Sequence, residues 1–186
     1  MKLLLHTCCA PCTIYPLRVL RESGADVMGF FYPHNIHPYS ECLKRREALA
    51  DYAAKSDLRV IFPEGYDLED FIRKMVFREQ DRCRFCYYER LRATALLARQ
   101  VGFDSFSSTL LYSKFQRHDL IREAGEAVAG EIGVRFHYQD FREGWKEGVR
   151  VSREIGMYRQ QYCGCIYSEK ERYCRPQKKT AAPEGI

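Results

Sequence analysis

Apolar and polar positions along this chain switch repeatedly between short continuous runs and helical spacing. Residues 2–6, with Leu3-Leu4-Leu5, read as a buried first strand, and 10–22 as a helix closed by Gly24. Residues 26–32 read as a second strand, followed by a loop at 33–38 and a helix over 40–55. Residues 58–62 predict a third strand, 67–77 a short helix, and 86–101 a longer helix ended by Gly102. A fourth strand at 104–109, a helix at 114–130 and a fifth strand at 134–138 follow; 144–155 and 160–173 read as helices. Strands that alternate with helices predict an α/β fold: a doubly wound, mainly parallel five-stranded sheet with an extra C-terminal helical part. The length of 186 residues suits one domain, placed at 1–175. The segment 176–186, with Lys178, Lys179 and Pro183, is expected to be a disordered basic tail.

In such sheets ligands bind beyond the carboxyl ends of the strands, near the switch in strand order. Cys8, Cys9 and Cys12 fall there, just past the first strand, and Ser107 to Thr109 end the fourth strand toward the same crevice. Cys83 and Cys86 form a C-x-x-C, and Cys163 and Cys165 a C-x-C. Seven of the nine cysteines thus lie in three tight groups far apart in sequence. Soft thiolates grouped in this way select iron–sulfur clusters, zinc or copper(I).

Each group taken alone is ambiguous. Pro11 suits a first helical turn, whose free N–H groups lower thiol pKa values and favour an anionic cluster. The first group could hold metal, or Cys9 and Cys12 could be one redox dithiol beside a spare thiol. Cys83-Arg-Phe-Cys86 fits zinc, a cluster or a dithiol. Gly164 permits the turn that aims Cys163 and Cys165 to one side. Taken together, seven candidates exceed the four of a structural zinc. They suit a four-thiolate [4Fe–4S] cluster, with three thiolates left for an adjacent metal whose open position binds a substrate oxygen. Cys42 and Cys174 stand outside the groups and read as bystanders.

Charge and composition narrow the setting. No apolar stretch approaches the ~20 residues of a membrane span, and residues 2–5 are too short for a signal-peptide core. A soluble cytoplasmic protein is the expectation, and cysteine groups there bind metal or do redox chemistry more often than they staple a fold. Net charge is +5, moderately basic. Arginines gather at 45–46, 78–92 and 150–159 with tyrosines between them, a pattern that can hold phosphates and stack bases, although a single surface arginine is most often only a solvated charge. His6 reads as a core residue, and Asn35-Ile-His-Pro38 as a turn or a substrate contact. There is no G-x-G-x-x-G and no P-loop lysine.

The chain resembles the QueH family of epoxyqueuosine reductases over about residues 2–168. The residues that carry the likeness are Leu5-His-Thr-Cys-Cys-Ala-Pro-Cys12, Asn35-Ile-His-Pro38, Cys83-Arg-Phe-Cys86 with Arg90-Leu91, Ser108-Thr-Leu110, Asp140-Phe-Arg142 and Tyr158-Arg-Gln-Gln-Tyr-Cys-Gly-Cys-Ile-Tyr-Ser168. Two positions depart from the family pattern: Cys42 stands where an aromatic residue is expected, and Lys114-Phe115 replaces Pro-Tyr. The resemblance implies a Rossmann-like fold related to the adenine-nucleotide α-hydrolases, with the cysteine motif in the usual phosphate-loop position. It implies a [4Fe–4S] cluster beside a separately coordinated iron. It also implies the last step of queuosine synthesis, removal of the epoxide oxygen from a modified wobble guanosine of tRNA, with an electron donor that the sequence does not identify. On that resemblance Cys9, Cys83, Cys86 and Cys163 are assigned to the cluster. Cys8, Cys12 and Cys165 are assigned to the catalytic second iron. Arg90, Arg159 and Tyr162 are the expected tRNA contacts. Two other classes compete: a non-catalytic zinc module that binds RNA, and a thiol–disulfide oxidoreductase using Cys9 and Cys12.

Overall fold

A computed structural model describes residues 1–174, so the tail at 176–186 lies outside the described residues. Its centre is β1 (Lys2–Thr7), where Leu3, Leu4 and Leu5 are all fully buried. A strand covered on both faces has no polar side, which is why this one reads as a continuous apolar run. β1 pairs in parallel with β2 (Asp26–Phe31), Leu3 opposite Val27 and Thr7 opposite Phe31. On its other edge it pairs in parallel with β4 (Ser105–Ser108), His6 opposite Ser108. With β3 (Val60–Ile61) and β5 (Arg135–Phe136) outermost, the strand order is β3-β2-β1-β4-β5, parallel throughout. The order reverses between β1 and β4, so the crevice for ligands opens above those two strands.

Helices cover the sheet. α1 (Ala10–Glu22) packs on α2 (Tyr39–Lys55) and α6 (Trp145–Glu154). α4 (Arg82–Val101) packs on α5 (His118–Ile132) and covers β1 and β4. α3 (Leu68–Met75) precedes α4, and α7 (Ile166–Tyr173) closes the described chain. α1 has the bounds its sequence signals predict, with Pro11 in its first turn.

Five elements depart most from the expected spans. β3 and β5 are two residues each, because an edge strand pairs on one side only and the chain soon leaves the ladder. α4 begins one turn before residue 86 and takes in both cysteines of the C-x-x-C. α5 begins at His118, because a 3-10 turn (Thr109–Tyr112) follows β4. Residues 160–165 are not helical. Gly164 has φ +143, a value closed to other residues, and α7 starts only after Cys165, whose side chain accepts from the Ser168 N–H.

Gly144 seats α6 against α1. A Cβ there would lie 2.1 Å from the Tyr15 ring. Gly144→Ala is expected to destabilise the fold by about 1–3 kcal/mol through overpacking, read from the denaturant midpoint. An unchanged midpoint would mean that Tyr15 swings clear at no cost.

Candidate metal centre

Three elements deliver the sulphurs. Cys8 and Cys9 end the turn out of β1, Cys9 in extended backbone (φ −170) as the residue that caps α1, and Cys12 lies in the first turn of that helix. Their Sγ atoms lie within 4.8 Å of one another, and the three residues are 6%, 1% and 6% exposed. Cys83 lies in the first turn of α4 and Cys86 opens its second, and Cys163 and Cys165 lie in the loop before α7.

Charge links the sets. The Cys83 thiol is pushed up by burial, with Cys165 adding to it. Burial, then Cys163 and Cys165, push Cys86 up to about 12 against the opposing pull of Arg90. Cys163 is exposed as a residue at the lip of the crevice, yet its sulphur sits deep enough that burial is still the first cause raising it; Cys165 and Cys8 add to the rise. Cys8, Cys9 and Cys12 thus lie together, while charge interactions link Cys83 with Cys165, Cys86 with Cys163 and Cys165, and Cys163 with both Cys165 and Cys8. The split expected from sequence placed Cys9 with Cys83, Cys86 and Cys163, and Cys165 with Cys8 and Cys12. Cys9 shares the Gln160 amide with Cys12, at 2.9 and 3.3 Å, and Cys165 neighbours Cys83 and Cys86.

The donor chemistry fits a soft cation. Within the first set the Cys8 thiolate is favoured by S–H donation from Cys12 and Cys9. Burial first, then its two neighbours, push Cys9 up, and interaction with Cys8 pushes Cys12 up. Three buried thiols can thus share one negative charge easily and a second only at a cost. A cation that neutralises all three removes the conflict.

Donors surround most of the sulphurs. Asn35 Nδ2 reaches Cys86 Sγ at 2.9 Å, Arg90 Nε reaches the same atom at 3.3 Å, and Gln116 Nε2 reaches Cys163 Sγ at 3.2 Å. Side-chain N–H groups aimed at sulphur orient thiolate ligands and stabilise their charge.

Arg90 corrects an expectation. It is 1% exposed, and its guanidinium meets Cys86, His6 Nε2 and the Asn35 carbonyl, so it cannot reach a tRNA phosphate. Burial works against its charge, but Cys86, Cys8 and Cys163 more than offset that. Because Arg90 always donates, His6 carries its proton on Nδ1, 2.8 Å from Ser108 Oγ. Burial and Arg90 push His6 down to about 3, so it stays neutral.

Arg159 and Tyr162 do line the crevice, a cavity of 340 Å³ that Cys8, Cys12 and Cys163 also face. The Tyr162 hydroxyl donates to the His37 carbonyl and its ring packs against Arg45, so it forms wall rather than a free stacking face. The free ring at the mouth is Phe115, 83% exposed and edge-on to Trp145 at 5.5 Å; Trp145 in turn stacks on Tyr112 at 5.2 Å. Asp140, a conceivable proton source, is held down to about 2 by Arg142 and does not line the cavity.

Sequence reasoning gave five side chains of the site no sulphur-binding or loop-anchoring role. Arg45 is 1% exposed; it pairs with Glu41 at 2.7 Å and donates to the Cys163 and Tyr162 carbonyls at 2.9 Å each. Glu41 also accepts from the Tyr158 hydroxyl. Gln116, Gln160 and Asn35 each donate to a sulphur, and their only sequence signal is nearness to cysteine motifs or to a strand end. The Asn35–Pro38 loop also holds the C-x-C, through His37 N–H donating to the Gly164 carbonyl at 2.7 Å. Cys42 lies apart, its thiol pushed up to about 11 by burial and facing the Pro33 carbonyl.

Comparison with known proteins bears on this site. Residues 3–171 match the family described as epoxyqueuosine reductase QueH. A protein of that name from Dehalococcoides mccartyi is 39% identical, over 94% of this chain and 96% of its own. Another from Thermotoga maritima is 40% identical, over 91% of each. Among solved structures, a predicted subunit of tRNA methyltransferase from Methanocaldococcus jannaschii superposes with a TM-score of 0.58 at 8% identity, over 83% of this chain and 75% of that one. That likeness concerns the fold alone.

Proposed function

The chain belongs to the epoxyqueuosine reductase QueH family, and from that membership we propose that its sulphur-lined cavity removes the epoxide oxygen of epoxyqueuosine at the wobble position of a tRNA. The observation that supports this reading is that Cys163, from the C-x-C, lines the same cavity as Cys8 and Cys12. Charge interactions with Cys163 or Cys165 tie Cys83 and Cys86 to it.

The net reaction takes two electrons and two protons and releases the oxygen as water. Cys83, Cys86, Cys163 and Cys165 would hold a [4Fe–4S] cluster, and Cys8, Cys9 and Cys12 a separate iron. When bound, the cluster supplies electrons singly and the iron supplies a Lewis acid beside the substrate.

The side chains do the rest. Gln160 fixes Cys9 and Cys12, and Gln116 fixes Cys163, each through an amide N–H. Phe115 and Trp145 offer apolar ring surface for a splayed loop base, with Tyr112 backing Trp145, and Arg159 and Arg172 offer charge for its phosphates. Buried Tyr112 keeps its phenolic proton, since burial first and the nearby cysteines second push its pKa up; that hydroxyl donates to the Trp145 carbonyl at 3.1 Å. Among the described residues no helix is long and apolar enough to cross a membrane.

Anaerobically reconstituted protein is expected to convert epoxyqueuosine in tRNA and to contain more iron than one [4Fe–4S] cluster accounts for. Stripping the iron with a chelator is expected to abolish conversion. Zinc alone, without conversion, would establish a zinc-dependent RNA module. Conversion that survives iron removal would establish dithiol chemistry at Cys9 and Cys12.

A further inference from the structure

We propose that Arg90 sets the reduction potential of the cluster held by Cys83, Cys86, Cys163 and Cys165, acting as its buried counter-cation. The inference rests on the iron–sulfur reading above.

Among the described residues no carboxylate lies within ion-pair distance of Arg90, whereas Arg45, equally buried, faces Glu41 at 2.7 Å. Guanidinium does not give up its proton, and a buried charge needs an opposite one. Among the described residues the one group its side chain touches that can become an anion is the Cys86 sulphur. Its Nε donates to Cys86 Sγ at 3.3 Å, while its other nitrogens meet two neutral acceptors, His6 Nε2 and the Asn35 carbonyl, each at 3.3 Å.

The backbone makes this placement rigid. Arg90 follows Cys86 by one turn of α4, on the same helix face, and closes against β1 through His6. Reduction adds an electron, and so one negative charge, to the sulphur-rich group beside it. In a buried setting a fixed cation stabilises the reduced form more than the oxidised form, and N–H···S hydrogen bonds act in the same direction. Arg90 therefore makes the electron easier to load. Asn35 Nδ2 supplies a second, uncharged bond to the same sulphur at 2.9 Å. Arg90 is thus a positioning and tuning residue, set apart from substrate by its burial.

The test is an anaerobic redox titration of reconstituted protein, followed by EPR of the reduced cluster. Arg90→Gln is expected to shift the midpoint to more negative potential. Arg90→Lys, which keeps the charge, is expected to recover most of that shift, a rescue that a purely structural role does not predict. Arg90→Gln with an intact cluster and an unmoved midpoint overturns the inference. In the wild-type holoprotein labelled with guanidino-15N arginine, pulsed EPR is expected to show a 15N coupling to the reduced cluster. Its absence overturns the inference even if the glutamine variant holds no cluster. A wild-type protein with no iron–sulfur signal at all overturns the functional reading instead.

Discussion

Serine in place of any one of Cys8, Cys12, Cys86 or Cys163 is expected to lower turnover of epoxyqueuosine-containing tRNA by more than about 100-fold. The magnitude follows from what outer-shell partners of metal sites contribute, about 10–100-fold each, and a ligand contributes more than the group that orients it. Losses at these positions are also expected not to add, since residues that act as a unit fail together. A Cys8→Ser, Cys86→Ser double variant should be scarcely worse than either single one, although the two residues come from different sets. Gln160→Leu, which leaves all the sulphurs in place but removes the amide from Cys9 and Cys12, is expected to fall within the 10–100-fold range. Cys42→Ala is the control. Its thiol, in α2, faces the Pro33 carbonyl of the preceding loop, away from the cavity, so turnover should hold at wild-type level with at most a small loss of stability. Rates measured at matched iron content decide the matter. Additive losses at Cys8 and Cys86 would show two independent sites rather than one.

Arg45→Met is expected to cost about 3–5 kcal/mol of stability, the range for breaking a buried ion pair by removing one partner. The loss has three parts in this structure. Glu41, 8% exposed, is left as a buried carboxylate with only the Tyr158 hydroxyl. The carbonyls of Tyr162 and Cys163 lose their donors. The loop carrying Cys163 and Cys165 is then tied to the body mainly through the His37–Gly164 hydrogen bond and the Tyr162 hydroxyl. Adding Glu41→Gln is expected to restore part of the stability, because the stranded charge is gone, but not the iron content, because the loop is still loose. Denaturant melts of the two single variants and the double variant, each paired with iron analysis, test this. Equal recovery of stability and iron would show that Arg45 serves the fold without positioning the C-x-C.

Elements with local signals matched their sequence patterns most closely. α1 has Pro11 in its first turn and a last turn followed by Gly24, and both ends fall where those residues place them. β1 is legible because burial on both faces leaves three leucines in a row. The start of α4 is not legible, since Asp81 precedes it without a side-chain cap bond and nothing in Arg82-Cys-Arg-Phe marks a first turn. The run 160–165 carries helix-compatible residues, but it is shaped by bonds from distant segments, Arg45 and His37 above all. Its true conformation is a tertiary property.

The same holds at the site. Spacing identifies three cysteine groups, and strand ends point the first of them at the crevice. The pairing of Cys9 with Cys8 and Cys12 depends on turn geometry that composition does not encode. Arg90 reads as surface charge because arginine seldom lies inside a protein, and only the neighbouring sulphurs explain its burial.

Cys8, Cys9 and Cys12 lie together near the start of the chain, but the four thiols proposed for the cluster come from positions 83–86 and 163–165, so no portion of the chain before residue 163 holds them all. During synthesis the opening cysteines emerge long before the closing pair exists. On that proposed ligand set, insertion of the cluster is expected to be a late event, after the loop at 163–165 has been made and folded. A chain cut short before residue 163 would carry every strand of the sheet and still lack the closing pair of the proposed cluster.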